Sequence, residues 1–82
     1  MAEQGKVVMP HVNIKHFPTP LSDAQRSALV AAVTSAIQGA FGCEERMISI
    51  ALEPVDAAAW HERVYVPEIV NRNDLLHKTP DY

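Results

Sequence analysis

Residues 9–17 are Met9-Pro10-His11-Val12-Asn13-Ile14-Lys15-His16-Phe17. Apolar Val12 and Ile14 alternate with polar residues, and this period of two predicts a β-strand with one buried face. Pro10 stands at the first position of the strand, where a proline is tolerated because its missing N–H need not join the sheet. The rest of the chain is organised around this strand.

Pro10 has two interpretations that differ in the chemistry of its nitrogen. Inside a chain this nitrogen is an amide, whose lone pair is delocalised into the preceding carbonyl group. If translation starts at Met9 and that methionine is removed, the nitrogen becomes a secondary amine that can act as a base. The local sequence leaves both interpretations open: a catalytic amine, or an ordinary proline at the start of an edge strand.

Length and composition limit the possible functions. A chain of 82 residues is expected to form one domain, here residues 9–82, with residues 1–8 as an extension. The net charge is -3, with 7 Lys+Arg against 10 Asp+Glu and no basic stripe, so we expect no nucleic-acid partner. No apolar run approaches the ~20 residues of a membrane span, and no Cys/His cluster has metal-ligand spacing. We therefore expect no membrane partner and no metal, and the lone Cys43 fits a cytoplasmic location.

A long helix is predicted over residues 22–41. Ser22 can cap its start, and Gln25 follows three residues later, which is the spacing of a capping box. Gly42 is the predicted stop. Apolar residues recur every four positions and predict one buried stripe, formed by Leu29, Val33, Ile37 and Phe41.

Residues 47–53 alternate again and predict the second strand, which Pro54 ends. A strand, a helix and a strand make a βαβ unit, in which the two strands are expected to be parallel and joined by a right-handed crossover. The predicted fold class is therefore α+β. Because two strands and one helix cannot close a core alone, we expect two copies to pair into a four-stranded sheet covered by two helices.

Shorter elements are predicted after the second strand. Asp56 can cap a short helix that ends at Trp60, residues 62–66 alternate as in a short strand, and Pro67 can begin a further helical turn. Residues 73–82 are expected to form an arm laid across a neighbouring surface. Trp60 is the only tryptophan, and such a residue is ordinarily a core or interface anchor.

Several motifs occur together and in order: Met-Pro before a strand, Ser-Asp-x-Gln at residues 22–25, and Ile-Ser-Ile-Ala-Leu at residues 48–52. In this order and spacing they resemble the 4-oxalocrotonate tautomerase family. The tryptophan after the second strand and the ending Lys78-Thr79-Pro80-Asp81-Tyr82 are similar to the small bacterial PptA-like branch. The resemblance covers residues 9–82.

The resemblance implies a cofactor-free isomerase. The family's general base is an amino-terminal proline, which corresponds to Pro10 and moves a proton between carbon and oxygen of an enol. The family's βαβ unit pairs into dimers, some of which stack into hexamers, so we expect a homodimer with a hexamer as the alternative. The two arginines of the founding enzyme align with Leu21 and Ser49, which cannot pair with a carboxylate. This departure argues against a dicarboxylate, and the resemblance to the PptA-like branch implies a small aromatic 2-oxo acid, such as a phenylpyruvate, as the enol/keto substrate.

The expected site contains Pro10 as the catalytic base and four substrate-binding residues, Trp60, Ser49, Lys15 and Arg63. The resemblance makes Trp60 an aromatic wall, and the other three are candidates for stabilising the enolate oxygen. The ordinary alternative for the two cations is a solvated surface. If residues 1–8 are retained, the chain is instead a catalytically silent relative that binds or assembles, and a module of unrelated chemistry is the third alternative.

Overall fold

The computed structural model describes residues 7–82, and its main elements follow the predicted order. They are strand β1 (His11–His16), helix α1 (Asp23–Phe41) and strand β2 (Ser49–Pro54), and the strands form a two-stranded sheet. Ser49 N–H donates to the Pro10 carbonyl at 3.1 Å, and Val55 N–H donates to the His16 carbonyl at 2.8 Å. Because donor and acceptor numbers rise together, the strands are parallel. The predicted βαβ fold class is confirmed.

Helix α1 begins and ends where its end signals predict. The Ser22 side chain accepts a hydrogen bond from the Gln25 backbone N–H at 3.0 Å, and the Gln25 side chain accepts one from the Ser22 N–H at 2.9 Å. This reciprocal pair is a capping box. At the other end Gly42 has φ +67, the left-handed conformation that glycine adopts without steric cost, and its N–H donates to the Gln38 carbonyl.

Strand β2 starts two residues later than predicted. A 3₁₀ turn occupies Glu45–Met47, in which Met47 N–H donates to the Glu44 carbonyl at 3.1 Å. The next residue, Ile48, donates to the Glu45 carbonyl at 3.0 Å. These donors are used locally, so they do not pair with β1, and the first residue of the strand is Ser49.

The predicted strand over residues 62–66 is wrong, because this segment lies in a π-helix that spans His61–Val70 with Pro67 inside it. Asn71 N–H donates to the Val66 carbonyl, five residues earlier, at 2.9 Å, which is the π pattern. The short helix before it is a 3₁₀ turn at Ala57–Ala59, and the Asp56 side chain makes no capping hydrogen bond to it. A last 3₁₀ turn covers Asn73–Leu75.

The chain divides into two compact units. The first unit holds the chain up to Ile14 together with Pro20–Leu52, and the second unit holds Lys15–Thr19 together with Glu53–Tyr82. In the first unit the stripe predicted to be core is not buried within one chain: α1 has no buried residue, and Phe41 is 49% exposed. The buried apolar residues of the described chain are Cys43, Val55 and Val64.

Most of the predicted extension, residues 1–6, lies outside the described residues. Val7 and Val8 have no regular structure, and Val7 is 69% exposed. The boundary between the extension and the domain stays a prediction. No helix within residues 7–82 has the length and apolar character needed to cross a membrane.

Candidate active site

Pro10 lies directly before β1 in the first unit and is half-buried. Its carbonyl accepts a hydrogen bond from the Ser49 N–H, which is the first backbone hydrogen bond between the segments of β1 and β2. Beside it, the His11 Nδ1 atom lies 2.7 Å from the Ser49 Oγ atom, and both side chains are exposed. Pro10, His11 and Ser49 together form what we call the proline corner.

Met9 connects Pro10 to the preceding residues in a strained backbone conformation. Its φ is +45, in the left-handed region, and its side chain is 67% exposed. A residue that precedes a proline prefers an extended conformation, and a non-glycine residue in the left-handed region costs about 1 kcal/mol or more. The link into Pro10 therefore adds strain where the sheet begins.

The second unit contains a cleft of about 420 Å³ with aromatic walls. Trp60 is in edge-to-face contact with Phe17, their ring centroids 5.1 Å apart. The Trp60 indole N–H donates to the Tyr82 hydroxyl oxygen at 3.1 Å, and the Tyr82 ring lies 5.9 Å from that of Tyr65. His61 stacks on Tyr65 at 5.5 Å. We call this set of five residues the aromatic cleft.

A space of about 540 Å³ in the same unit is lined by Lys15 and His16 as well as by three residues of the aromatic cleft, Phe17, Trp60 and Tyr82. Both volumes are in the range of small-molecule sites, roughly 300–1,000 Å³. The Lys15 Nζ atom lies 3.3 Å from Glu68 Oε2, and Arg72 donates to Glu68 Oε1 at 3.1 Å. Lys15 and Arg72 thus share the Glu68 carboxylate, so these three side chains together carry a net positive charge.

The structure brings some of the expected site residues together. Trp60 and Lys15 line one space, while Ser49 belongs to the proline corner. Arg63 donates to Glu53 at 3.3 Å and is not among the described side chains that line the aromatic cleft or the space beside it.

Sequence reasoning missed four of the five residues of the aromatic cleft, Phe17, His61, Tyr65 and Tyr82. A compositional signal was present, because the chain has only one Trp, two Tyr and two Phe, and all of them except Phe41 line the cleft. The arm predicted over residues 73–82 ends against its own chain, where Tyr82 contacts Trp60 and Tyr65. Within residues 7–82, no three His, Cys, Asp or Glu side chains are grouped to hold a metal ion.

The described residues form a parallel βαβ unit with a proline directly before its first strand, which is the arrangement that the resemblance to the tautomerases implies. Comparison with known proteins agrees: a family model described as "Tautomerase enzyme" matches residues 10–62. The chain belongs to the tautomerase family and is a tautomerase, an isomerase, of the PptA-like branch.

The curated relatives match over nearly their whole length. Tautomerase PptA of Cronobacter sakazakii is 38% identical over 74 residues, which are 90% of this chain and 97% of the relative. Tautomerase PptA of Enterobacter sp. strain 638 is 39% identical, and that of Pectobacterium carotovorum is 31% identical, with the same coverage. The family suggests a small-molecule substrate and an oligomeric assembly.

Proposed function

We propose that this chain, once it begins at Pro10, is a cofactor-free tautomerase that interconverts the enol and keto forms of a small aromatic 2-oxo acid, with Pro10 as the general base. One observation carries the proposal: the residue at which the family match begins is also the residue whose carbonyl opens the pairing of β1 with β2. A proline amine exposed there would be held by the backbone on one side and open to substrate on the other.

The chemistry requires an amine that is unprotonated near neutral pH. A reference α-amino group has a pKa near ~7.7–8.0, and apolar surroundings lower that pKa because they disfavour the ammonium form. A base with a pKa close to the working pH is an efficient proton-transfer catalyst. The pyrrolidine ring also fixes the direction of the lone pair, which a primary amine would not.

In the proposed reaction, the Pro10 nitrogen accepts the hydroxyl proton of the enol and then delivers a proton to the adjacent carbon. Negative charge develops on the substrate's C2 oxygen between the two transfers, and a hydrogen-bond donor lowers the barrier by meeting that charge. The Ser49 hydroxyl in the proline corner supports this role. No atom is gained or lost, and no cofactor is needed.

The aromatic cleft supports an aromatic substrate. A substrate ring packed beside Phe17 and Trp60, which are in edge-to-face contact with each other, would bury apolar surface against both. Lys15, with its carboxylate partner shared with Arg72, would attract the carboxylate of a 2-oxo acid. Arg63 would first have to leave Glu53, so it is the least supported of the proposed binding residues.

Assembly into a homodimer, with a hexamer as the larger alternative, completes the proposal. Its support is the half-exposed apolar stripe of α1, which one chain leaves without a cover. In the proposed homodimer, the two βαβ units together form a four-stranded sheet. A cytoplasmic location is supported by the free thiol of Cys43, which a reducing compartment keeps unpaired.

A second candidate rests on the chain that begins at Met1. With Met9 attached, the Pro10 nitrogen is an amide, and this longer chain would be a silent member of the family that binds or assembles only. Ketonisation of phenylenolpyruvate by the chain that begins at Pro10 tests the proposed enzyme, and no turnover by that chain would contradict the proposal. The two candidates differ in the amino terminus that the protein has in its own host, so the intact mass of protein purified from that host separates them. A mass that begins at Pro10 supports the enzyme, and a mass that retains Met9 and the residues before it supports the silent alternative.

A further inference from the structure

We propose that Tyr82 is a specificity-determining residue of the aromatic cleft, and that its hydroxyl donates a hydrogen bond to the carboxylate of an aromatic acid. The inference rests on the proposed function for the identity of the substrate. The Tyr82 hydroxyl would be a second carboxylate-binding group beside Lys15, contributed by a residue that is distant from Lys15 in the sequence.

The direction of one hydrogen bond leads to this inference. An indole N–H can only donate, so in the 3.1 Å contact between Trp60 and Tyr82 the phenol oxygen must be the acceptor. The hydroxyl hydrogen of Tyr82 is therefore not used in that contact. It remains available to donate to a second group.

Tyr82 lies beside the space in which a ligand would bind. Tyr82 lines both the aromatic cleft and the adjoining space that Lys15 also lines. Its ring is held from two sides, by the indole hydrogen bond and by the ring of Tyr65 at 5.9 Å. Tyr82, which is 70% exposed, thus borders the same space as Lys15.

The local charge selects an anion as the acceptor. Lys15 lines the space, and its partner Glu68 also pairs with Arg72, so one carboxylate meets two cations. Hydrogen bonds to an ionised acceptor are shorter and stronger than those between neutral groups. A ligand with a ring for Trp60 and Phe17 and a carboxylate for Lys15 and Tyr82 satisfies both features.

The test is a binding titration that uses Trp60 as the reporter, since it is the only tryptophan of the chain. The probe is 3-phenylpropanoate, which carries the ring and the carboxylate but has no enol to react. Its neutral counterpart, 3-phenylpropanamide, has the same shape without the charge. Both are titrated against the full chain, against Tyr82→Phe, and against Ser27→Ala, which removes a hydroxyl group from the exposed surface of α1, away from the aromatic cleft.

We expect Tyr82→Phe to weaken binding of the acid about tenfold and binding of the amide at most about threefold, because a hydrogen bond to a charged group is the stronger one. Ser27→Ala should change neither affinity by more than about twofold. Lys15→Gln should also weaken binding of the acid more than binding of the amide. If Lys15 and Tyr82 bind the same carboxylate, the losses of affinity in Lys15→Gln and Tyr82→Phe should not be additive in the double variant.

Three results would overturn the inference: no binding of the acid to the full chain, an unchanged affinity in Tyr82→Phe, or equal losses for the acid and the amide. Failure of the proposed function is recognised separately. If the chain binds 3-phenylpropanoate through Tyr82 but does not ketonise phenylenolpyruvate, the inferred binding site stands and the proposed enzymatic function fails.

Discussion

Ser49 donates its backbone N–H to the carbonyl of Pro10 at 3.1 Å, so the pairing of the two parallel strands opens at the proline. This hydrogen bond involves the carbonyl oxygen of Pro10 and not its nitrogen. Among the residues in front of it, Val7 and Val8 join no strand, and Met9 is strained at φ +45. We therefore expect a chain shortened to Pro10 to keep the described sheet and to gain a basic amine.

The first prediction concerns the pH dependence of the shortened chain. Only the unprotonated amine can accept a proton, so kcat/KM should rise as pH increases through the pKa of the Pro10 ammonium group and level off above it. A reference α-amino group has a pKa near ~7.7–8.0, so the rise is expected around that range. Initial rates across pH with phenylenolpyruvate measure it.

The matched variant for this profile is Pro10→Ala in the same shortened chain. It keeps an amino-terminal amine, now primary and more mobile, and should keep only a fraction of the rate. A rate that is flat with pH or falls as pH increases would argue against an amine base.

The second prediction separates the role of Trp60 in binding from a role in stability. Trp60→Ala removes a wall of the aromatic cleft and should reduce kcat/KM for an aromatic enol by tenfold or more, with a smaller effect on the free energy of unfolding. Val64 is the control, since it is buried in the same unit and does not line the cleft. Val64→Ala should cost about 1–3 kcal/mol of stability and leave kcat/KM nearly unchanged.

Chemical denaturation and steady-state kinetics on the two variants make this comparison. If Trp60→Ala keeps full activity and loses only stability, Trp60 belongs to the core and does not bind the substrate.

The third prediction concerns assembly. The apolar stripe of α1 is half-exposed in one chain, and in the proposed homodimer it would be covered. Ile37→Asp would place a charge in that stripe and should dissociate or unfold the protein, because an unpaired charge is costly to bury. Ala28→Asp puts the same side chain on the opposite, exposed face of α1 and should cost less than about 1 kcal/mol.

Light scattering at micromolar concentration measures the mass of each variant. A folded wild-type monomer under these conditions would contradict the proposed assembly, as would an Ala28→Asp variant that dissociates as readily as Ile37→Asp.

The parts of the fold that were predictable are those set by local chemistry. Ser22, Gln25 and Gly42 satisfy the free backbone groups at the two ends of α1, so the sequence locates this helix to within a residue. The alternation of residues 62–66 was misleading, because five residues are too few to separate a strand from a turn of π-helix.

The site was predictable only in part, for a physical reason. Trp60 and Pro10 stand next to recognisable motifs, whereas the partner of Trp60, Tyr82, is 22 residues away in sequence. Such a contact depends on how the chain returns on itself after the π-helix, and no local pattern carries that information. Charge pairing was also hidden, since Lys15 and Glu68 meet across 53 residues.

The central claim is that Pro10 acts through a free amine. It is tested most directly by the initial rate of phenylenolpyruvate ketonisation, measured at matched concentration for the chain that begins at Pro10 and the chain that begins at Met1. The account predicts turnover by the shorter chain and almost none by the longer one, whose Pro10 nitrogen is an amide without a usable lone pair. Equal rates for the two chains would contradict it and would assign any catalysis to another residue.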